Sequence, residues 1–82
     1  MSHIPEPLVV LTEVLTQDEF LRAWLLELES EPPEERAQTL TGMADRMREG
    51  GEDPALVQAI GAMAHEAFYT GICRVIRELE RA

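Results

Sequence analysis

The fold is decided by residues 53–82, DPALVQAIGAMAHEAFYTGICRVIRELERA, the longest stretch with a regular helical period. Asp53 is a strong N-cap residue, and Pro54 takes the first helical position, where its missing N–H costs nothing. Apolar residues then recur at spacings of three and four as far as Leu79. The pattern predicts one long amphipathic helix, against which the rest of the chain packs.

The apolar arc of this predicted helix is wide. At about 100° per residue it spans roughly 200° of the circumference, more than a helix on one surface needs. Gly61 and Gly71 lie within the arc, where they either let another helix approach closely or break or bend this one. Because so short a chain builds only a modest core, self-association is an available way to cover the surplus. The predicted self-association face comprises Ile60, Ala64, Phe68, Gly71 and Val75.

Shorter elements precede the long helix. Residues 1–7 contain two prolines and are expected to form an extended or flexible arm. The apolar run in residues 8–15 suits a helix or a strand. With no second strand candidate to pair with it, we predict a helix from about Glu6 to Leu15.

Two further helices are predicted. Thr16 and Glu19 have the spacing of a capping box and open a helix that ends near Glu29. A third helix runs from about Pro32 to Arg48, and one glycine of the pair Gly50-Gly51 ends it in the left-handed conformation. The apolar stripe of the second helix consists of Phe20, Leu21, Trp24, Leu25 and Leu28.

Two residues of the second helix remain open to more than one interpretation. Trp24 is either a core residue, which we favour, or an interface anchor. Leu26 falls among charged residues and is either a harmless exposed leucine or part of a contact.

The predicted fold is therefore all-α, a single domain over residues 1–82. It is a small bundle of three short helices packed on one long C-terminal helix and completed by homodimerisation. No signal-peptide pattern and no apolar run of about 20 residues is found, so we expect a cytoplasmic protein without membrane association.

Charge is unevenly distributed along the chain. Residues 1–53 hold thirteen acidic residues and four arginines, whereas residues 54–82 hold three of each. A surface of this sign repels phosphate backbones, which argues against nucleic-acid binding. It would steer a basic protein toward itself, although a solvated face that keeps the chain soluble is the simpler interpretation. The candidate acidic partner surface comprises Glu27, Glu29, Glu31, Glu34 and Glu35.

Chemistry-bearing motifs are scarce. There is no HExxH, CxxC, GxGxxG, Walker loop or GxSxG pattern. His65 and Tyr69 share an edge of the apolar arc and would form a pH-sensitive or polarising pair, although a boundary packing role is commoner. Cys73 falls on the predicted polar strip near arginines, but no resolving cysteine or general base accompanies it. We expect no catalytic residue, cofactor or metal.

Two functions follow as hypotheses. The first is a small acidic protein–protein interaction module that forms a homodimer through the long helix. The alternative is an acidic binder, chaperone or inhibitor of a basic partner protein. A free hydrophobic surface beside the acidic residues would favour the alternative.

Overall fold

The computed structural model describes residues 6–81, and within that range the fold is helical with no β-strand. The predicted all-α class is confirmed, and residues 8–15 are helical. The elements are α1 (Glu6–Gln17), α2 (Glu19–Glu27), a 3-10 turn (Leu28–Ser30), α3 (Pro33–Glu49), α4 (Pro54–Ala62) and α5 (Glu66–Arg81).

The prediction of a single long C-terminal helix is wrong, because the helix is interrupted between α4 and α5. The N–H groups of Met63, Ala64 and His65 each donate to the carbonyl three residues earlier, at 3.1–3.2 Å. The Tyr69 N–H then donates to the carbonyl of His65 at 3.1 Å and restarts the α-helical pattern. Neither Gly61 nor Gly71 lies in the break, and neither has a positive φ.

The break gives each half of the predicted arc its own neighbours. Helix α4 packs against α1 and α3, and four of its nine residues are buried. Helix α5 contacts α2 and buries a narrow stripe of Tyr69, Ile72, Cys73 and Ile76. The wide arc is thus the superposition of two helices that face different partners, and much of it is already covered within one chain.

Side-chain caps set two of the helix starts. The Asp53 carboxylate accepts the Ala55 N–H at 2.8 Å, as predicted for an N-cap. The prediction of a capping box at Thr16 and Glu19 is wrong, because Asp18 caps α2: its carboxylate accepts the Leu21 N–H at 3.0 Å. The Thr16 hydroxyl instead donates to the carbonyl of Thr12 within α1.

The remaining boundaries need smaller corrections. Of the predicted arm, residues 1–5 lie outside the described residues, whereas Glu6 and Pro7 belong to the first turn of α1, where proline is tolerated. The second helix ends as a 3-10 turn at Ser30. Gly51, with φ of 78°, takes the predicted left-handed position after α3.

The core is apolar and draws on every helix. Its fully buried side chains include Leu11 and Leu15 of α1, Leu25 of α2, Leu40 of α3 and Ile60 of α4. Trp24 and Leu26 are half-buried and pack against this core, which gives each a packing role.

Candidate interaction surfaces

An apolar groove lies between the start of α1 and the exposed flank of α5. Its volume is about 240 Å³. Three residues of the predicted self-association face, Phe68, Gly71 and Val75, line it. Ala64 is half-buried in the α4–α5 turn. Ile60 is fully buried in the core, so the prediction that Ile60 belongs to an interaction surface is wrong. The complete lining is Leu8, Ala67, Phe68, Gly71, Ile72 and Val75.

Gly71 leaves this groove open. A Cβ atom placed on Gly71 would meet nothing within 4 Å, so the glycine is not required by packing inside the chain. At Gly61, in contrast, a Cβ would lie 3.8 Å from the Cβ of Ala44, an ordinary contact between α4 and α3. The apolar surface continues from the groove across Leu8 to Val9, which is 39% exposed.

The five predicted partner-binding glutamates cluster in the chain around the 3-10 turn and the start of α3. Glu29 accepts a hydrogen bond from Arg77, and half-buried Glu31 accepts from the Thr39 hydroxyl at 3.3 Å. Glu34 and Glu35 occupy the first turn of α3, where negative charge is favourable to the helix dipole. Glu27, Glu34 and Glu35 are exposed. Part of this acidity therefore has local structural roles.

Arg36 and Tyr69 form a buried polar contact that joins α3 and α5 to the end of α2. The Arg36 guanidinium donates to the carbonyls of Leu28 and Glu31, both at 3.1 Å. It lies 4.4 Å from the centroid of the Tyr69 ring, a cation–π distance. The Tyr69 hydroxyl donates to the carbonyl of Leu25. The contact satisfies carbonyls at the end of α2 and the following turn, and its role is structural.

Cys73 lies one turn beyond Tyr69 and is buried, so its predicted place on a polar strip is wrong. Burial is the main cause that raises the pKa of the Cys73 thiol, and Glu29 adds to it. Burial also raises the pKa of Tyr69, with the neighbouring Cys73 as the next cause. A buried thiol with a raised pKa is protonated at neutral pH and unreactive.

His65 and Tyr69 do not form a joint site. His65 is exposed in the α4–α5 turn, whereas Tyr69 points into the contact with Arg36. What links them is the backbone hydrogen bond that restarts α5.

The exposure of Phe20 was not predicted from the sequence. Phe20 was assigned to the apolar stripe of the second helix, but it is 83% exposed. A cleft of about 770 Å³ opens beside it at the α1–α2 junction. The signal that could have indicated this is Asp18, a strong N-cap residue two positions earlier, because it places Phe20 in the first turn of α2.

Within residues 6–81, no group of three or more histidine, cysteine, aspartate or glutamate side chains is arranged to hold a metal ion. None of the helices described there has the length and apolar character required to cross a bilayer.

Comparison of the chain with protein-family models, curated proteins and solved structures finds no match. Its function is therefore argued from its own surfaces.

Proposed function

We propose that this chain is a small helical interaction module that acts as a homodimer, with the groove between α1 and α5 as its interface. The observation that carries the proposal is the apolar groove around Phe68, Gly71 and Val75. An apolar surface that stays open after folding is typical of a protein–protein contact.

The groove is suited to a second copy because one face of α5 carries a partly exposed aromatic ring at Phe68 and an open volume at Gly71. Phe68 is half-buried and stands three positions before Gly71, whose missing side chain leaves open volume. In a two-fold dimer both copies use the same patch. The Phe68 ring of each copy would then fill the space over Gly71 of the other.

Charge favours the same arrangement. Residues 54–82 hold equal numbers of acidic residues and arginines, while residues 1–53 carry the whole formal charge of −9. Two copies that meet through α5 therefore approach along a helix whose acidic residues and arginines are equal in number. Repulsion between like charges would oppose most other pairings.

The proposal assigns the protein binding and no catalytic activity.

The experiment compares solution masses of two glycine variants by light scattering. Gly71→Gln puts the side chain of a good helix former into the groove, and its Cβ atom would meet nothing within 4 Å, so the variant should fold and be monomeric. Gly42→Gln is the matched control, since Gly42 also lies inside a helix but outside the groove. It should keep the dimer mass.

A folded Gly71→Gln variant with the mass of the native dimer would remove the groove as the interface. Phe68→Asp should also dissociate the dimer, but Phe68 packs partly on the core, so this substitution can unfold the chain as well. The glycine pair therefore decides the question.

A further inference from the structure

The outer face of α2 carries a second apolar surface, separate from the groove on α5. Phe20, Ala23 and Trp24 stand at positions i, i+3 and i+4 of the helix, and Glu27 follows at i+7. Phe20 is 83% exposed, Ala23 is exposed and Trp24 is half-buried. Residues at these spacings share one helical face, so a partner can contact all of them at once.

The polar groups around this face are negative. Asp18, Glu19 and Glu27 are all exposed. Arg22 is the basic residue of α2, and its guanidinium is turned away: it donates to the carbonyls of Leu15 and Thr16. Its Nε atom also lies 3.5 Å from the Glu80 carboxylate, and its side chain is only 16% exposed. Arg22 lines the cleft beside Asp18 and Glu19 and offsets part of their charge, but three carboxylates against one guanidinium leave the surroundings of this face negative.

The cleft beside Phe20 offers space for a partner's side chains. Helix α1 ends there at Gln17, and the Arg22 guanidinium donates to the carbonyls of Leu15 and Thr16 in its last turn, so Arg22 offsets the negative end of this helix's dipole. The α2 side of the cleft carries the carboxylates of Asp18 and Glu19 together with Arg22, and apolar groups line it at Val14 and Phe20.

We propose that the outer face of α2, with Phe20 and Trp24 as apolar anchors and Asp18, Glu19 and Glu27 as its charged rim, binds a basic amphipathic helix of a partner protein. The anchors supply the apolar contact, and a partner with lysine or arginine beside its apolar stripe matches the rim in charge. The same negative rim repels nucleic acids and anionic lipid surfaces, which leaves a basic protein segment as the occupant.

This site does not depend on the proposed dimer. Leu8, at the start of α1, lines the groove on α5, whereas Thr16 and Gln17, at the end of α1, line the cleft beside Phe20. Thr16 lies eight positions after Leu8, about 12 Å along the helix axis. The linings of the groove and the cleft share no residue, so loss of dimerisation in Gly71→Gln should leave peptide binding intact.

The probe is a synthetic helical peptide of leucine and lysine, about four turns long, with leucine at spacings of three and four. Trp24 is the sole tryptophan of the chain, so its fluorescence reports on this face directly. We expect a saturable change in Trp24 emission, with NMR shifts of backbone amides concentrated in α2. The affinity should fall as salt is added. A matched peptide with glutamate in place of lysine should not bind.

Variants then locate the contact. Phe20→Ala removes an exposed ring and should leave the fold intact while weakening the affinity at least about tenfold. Val9→Ala, a matched truncation of an exposed apolar residue on α1, should leave it unchanged. Glu27→Gln should weaken binding about two- to fivefold, whereas Glu35→Gln, the same change in the first turn of α3, should have little effect.

Three results would each overturn the proposal: absence of saturable peptide binding up to about 1 mM, equal binding by folded Phe20→Ala, or NMR shifts centred on Phe68 and Val75. Equal binding of the glutamate peptide would overturn it as well, since the rim would then have no part in recognition.

Discussion

Arg36 is a buried arginine whose guanidinium is held by main-chain carbonyls. It satisfies carbonyls of Leu28 and Glu31 where α2 gives way to the following turn, and it packs on the face of Tyr69. Burying a charge is costly unless hydrogen bonds and favourable dipoles offset the loss of water. The carbonyl-rich end of a helix provides both. Sequence spacing alone does not reveal this contact, because the partners of Arg36 lie in the 3-10 turn, directly after that turn and on α5.

The residues beside Arg36 predict a loss of stability in alkaline solution. Burial raises the pKa of Cys73 above 9.0 and that of Tyr69 above 10.0, so the folded state keeps these protons after the unfolded chain has released them. The free energy of unfolding should be constant up to about pH 9 and then fall as the pH rises, by up to about 1.4 kcal/mol per pH unit for each group. Urea unfolding at a series of pH values measures this pH dependence of the free energy of unfolding.

The chain provides a clean control for this experiment. It has one cysteine, one tyrosine and no lysine, so few other side chains titrate in this range. In Cys73→Ala the decline should begin nearer pH 10, where Tyr69 alone remains. A free energy of unfolding that stays level from about pH 8 to pH 11 would contradict the burial of both groups.

At the scale of elements, the break between α4 and α5 explains why part of the site was mispredicted. Residues 63–65 contain no proline or glycine, and Gly61, two positions earlier, is the one local indication of a helix end there. A break resets the helical phase, and a wheel drawn from Asp53 onward cannot be used beyond it. That is why the predicted face joined Ile60 of α4, which is fully buried, to Phe68 and Val75 of α5. Cys73 is a separate case, because the arginines near it lie on the same helix α5, and it is buried at the edge of that helix's buried stripe.

Local chemistry was predictable where one residue decides an element boundary. Asp53 and Gly51 act as their residue types indicate, one through a side-chain oxygen and the other through a left-handed backbone. The sequence predicts that Phe68, Gly71 and Val75 share one surface, because their spacings of three and four place them on one face of a helix. The exposure of Phe20 was not predicted, because the cap was assigned to Thr16, whereas Asp18 caps α2 and places Phe20 in its first turn.

Two glycines on or next to α3 should respond with opposite sign to alanine. Gly51 has φ of 78°, which alanine adopts at a cost of about 1–2 kcal/mol, so Gly51→Ala should lower the melting temperature by roughly 4–8 °C or more. Gly42 lies within α3, and a Cβ there would stand 3.7 Å from the end of the Arg46 side chain. Gly42→Ala should therefore stabilise the fold by up to about 1 kcal/mol. Calorimetry of both variants tests the pair, and a stabilised Gly51→Ala would contradict the left-handed turn.

For the whole molecule, the segregation of charge gives the two proposed contacts opposite responses to salt. A dimer of chains that each carry a formal −9 is opposed by long-range repulsion, so added salt should strengthen it. Binding of a basic helix to the acidic rim of α2 is favoured by attraction, so added salt should weaken it. The two surfaces can thus be tested in one buffer series without confusing one with the other.

The most direct test of the central proposal, that this chain is a homodimer, is the solution mass of the native protein by light scattering from about 1 µM to 1 mM. We predict twice the chain mass of 9.2 kDa over the upper part of that range, with the transition moving to lower concentration as salt is added. A mass of 9.2 kDa at every concentration and salt would contradict the dimer and leave the α2 face as the remaining candidate for this protein's function.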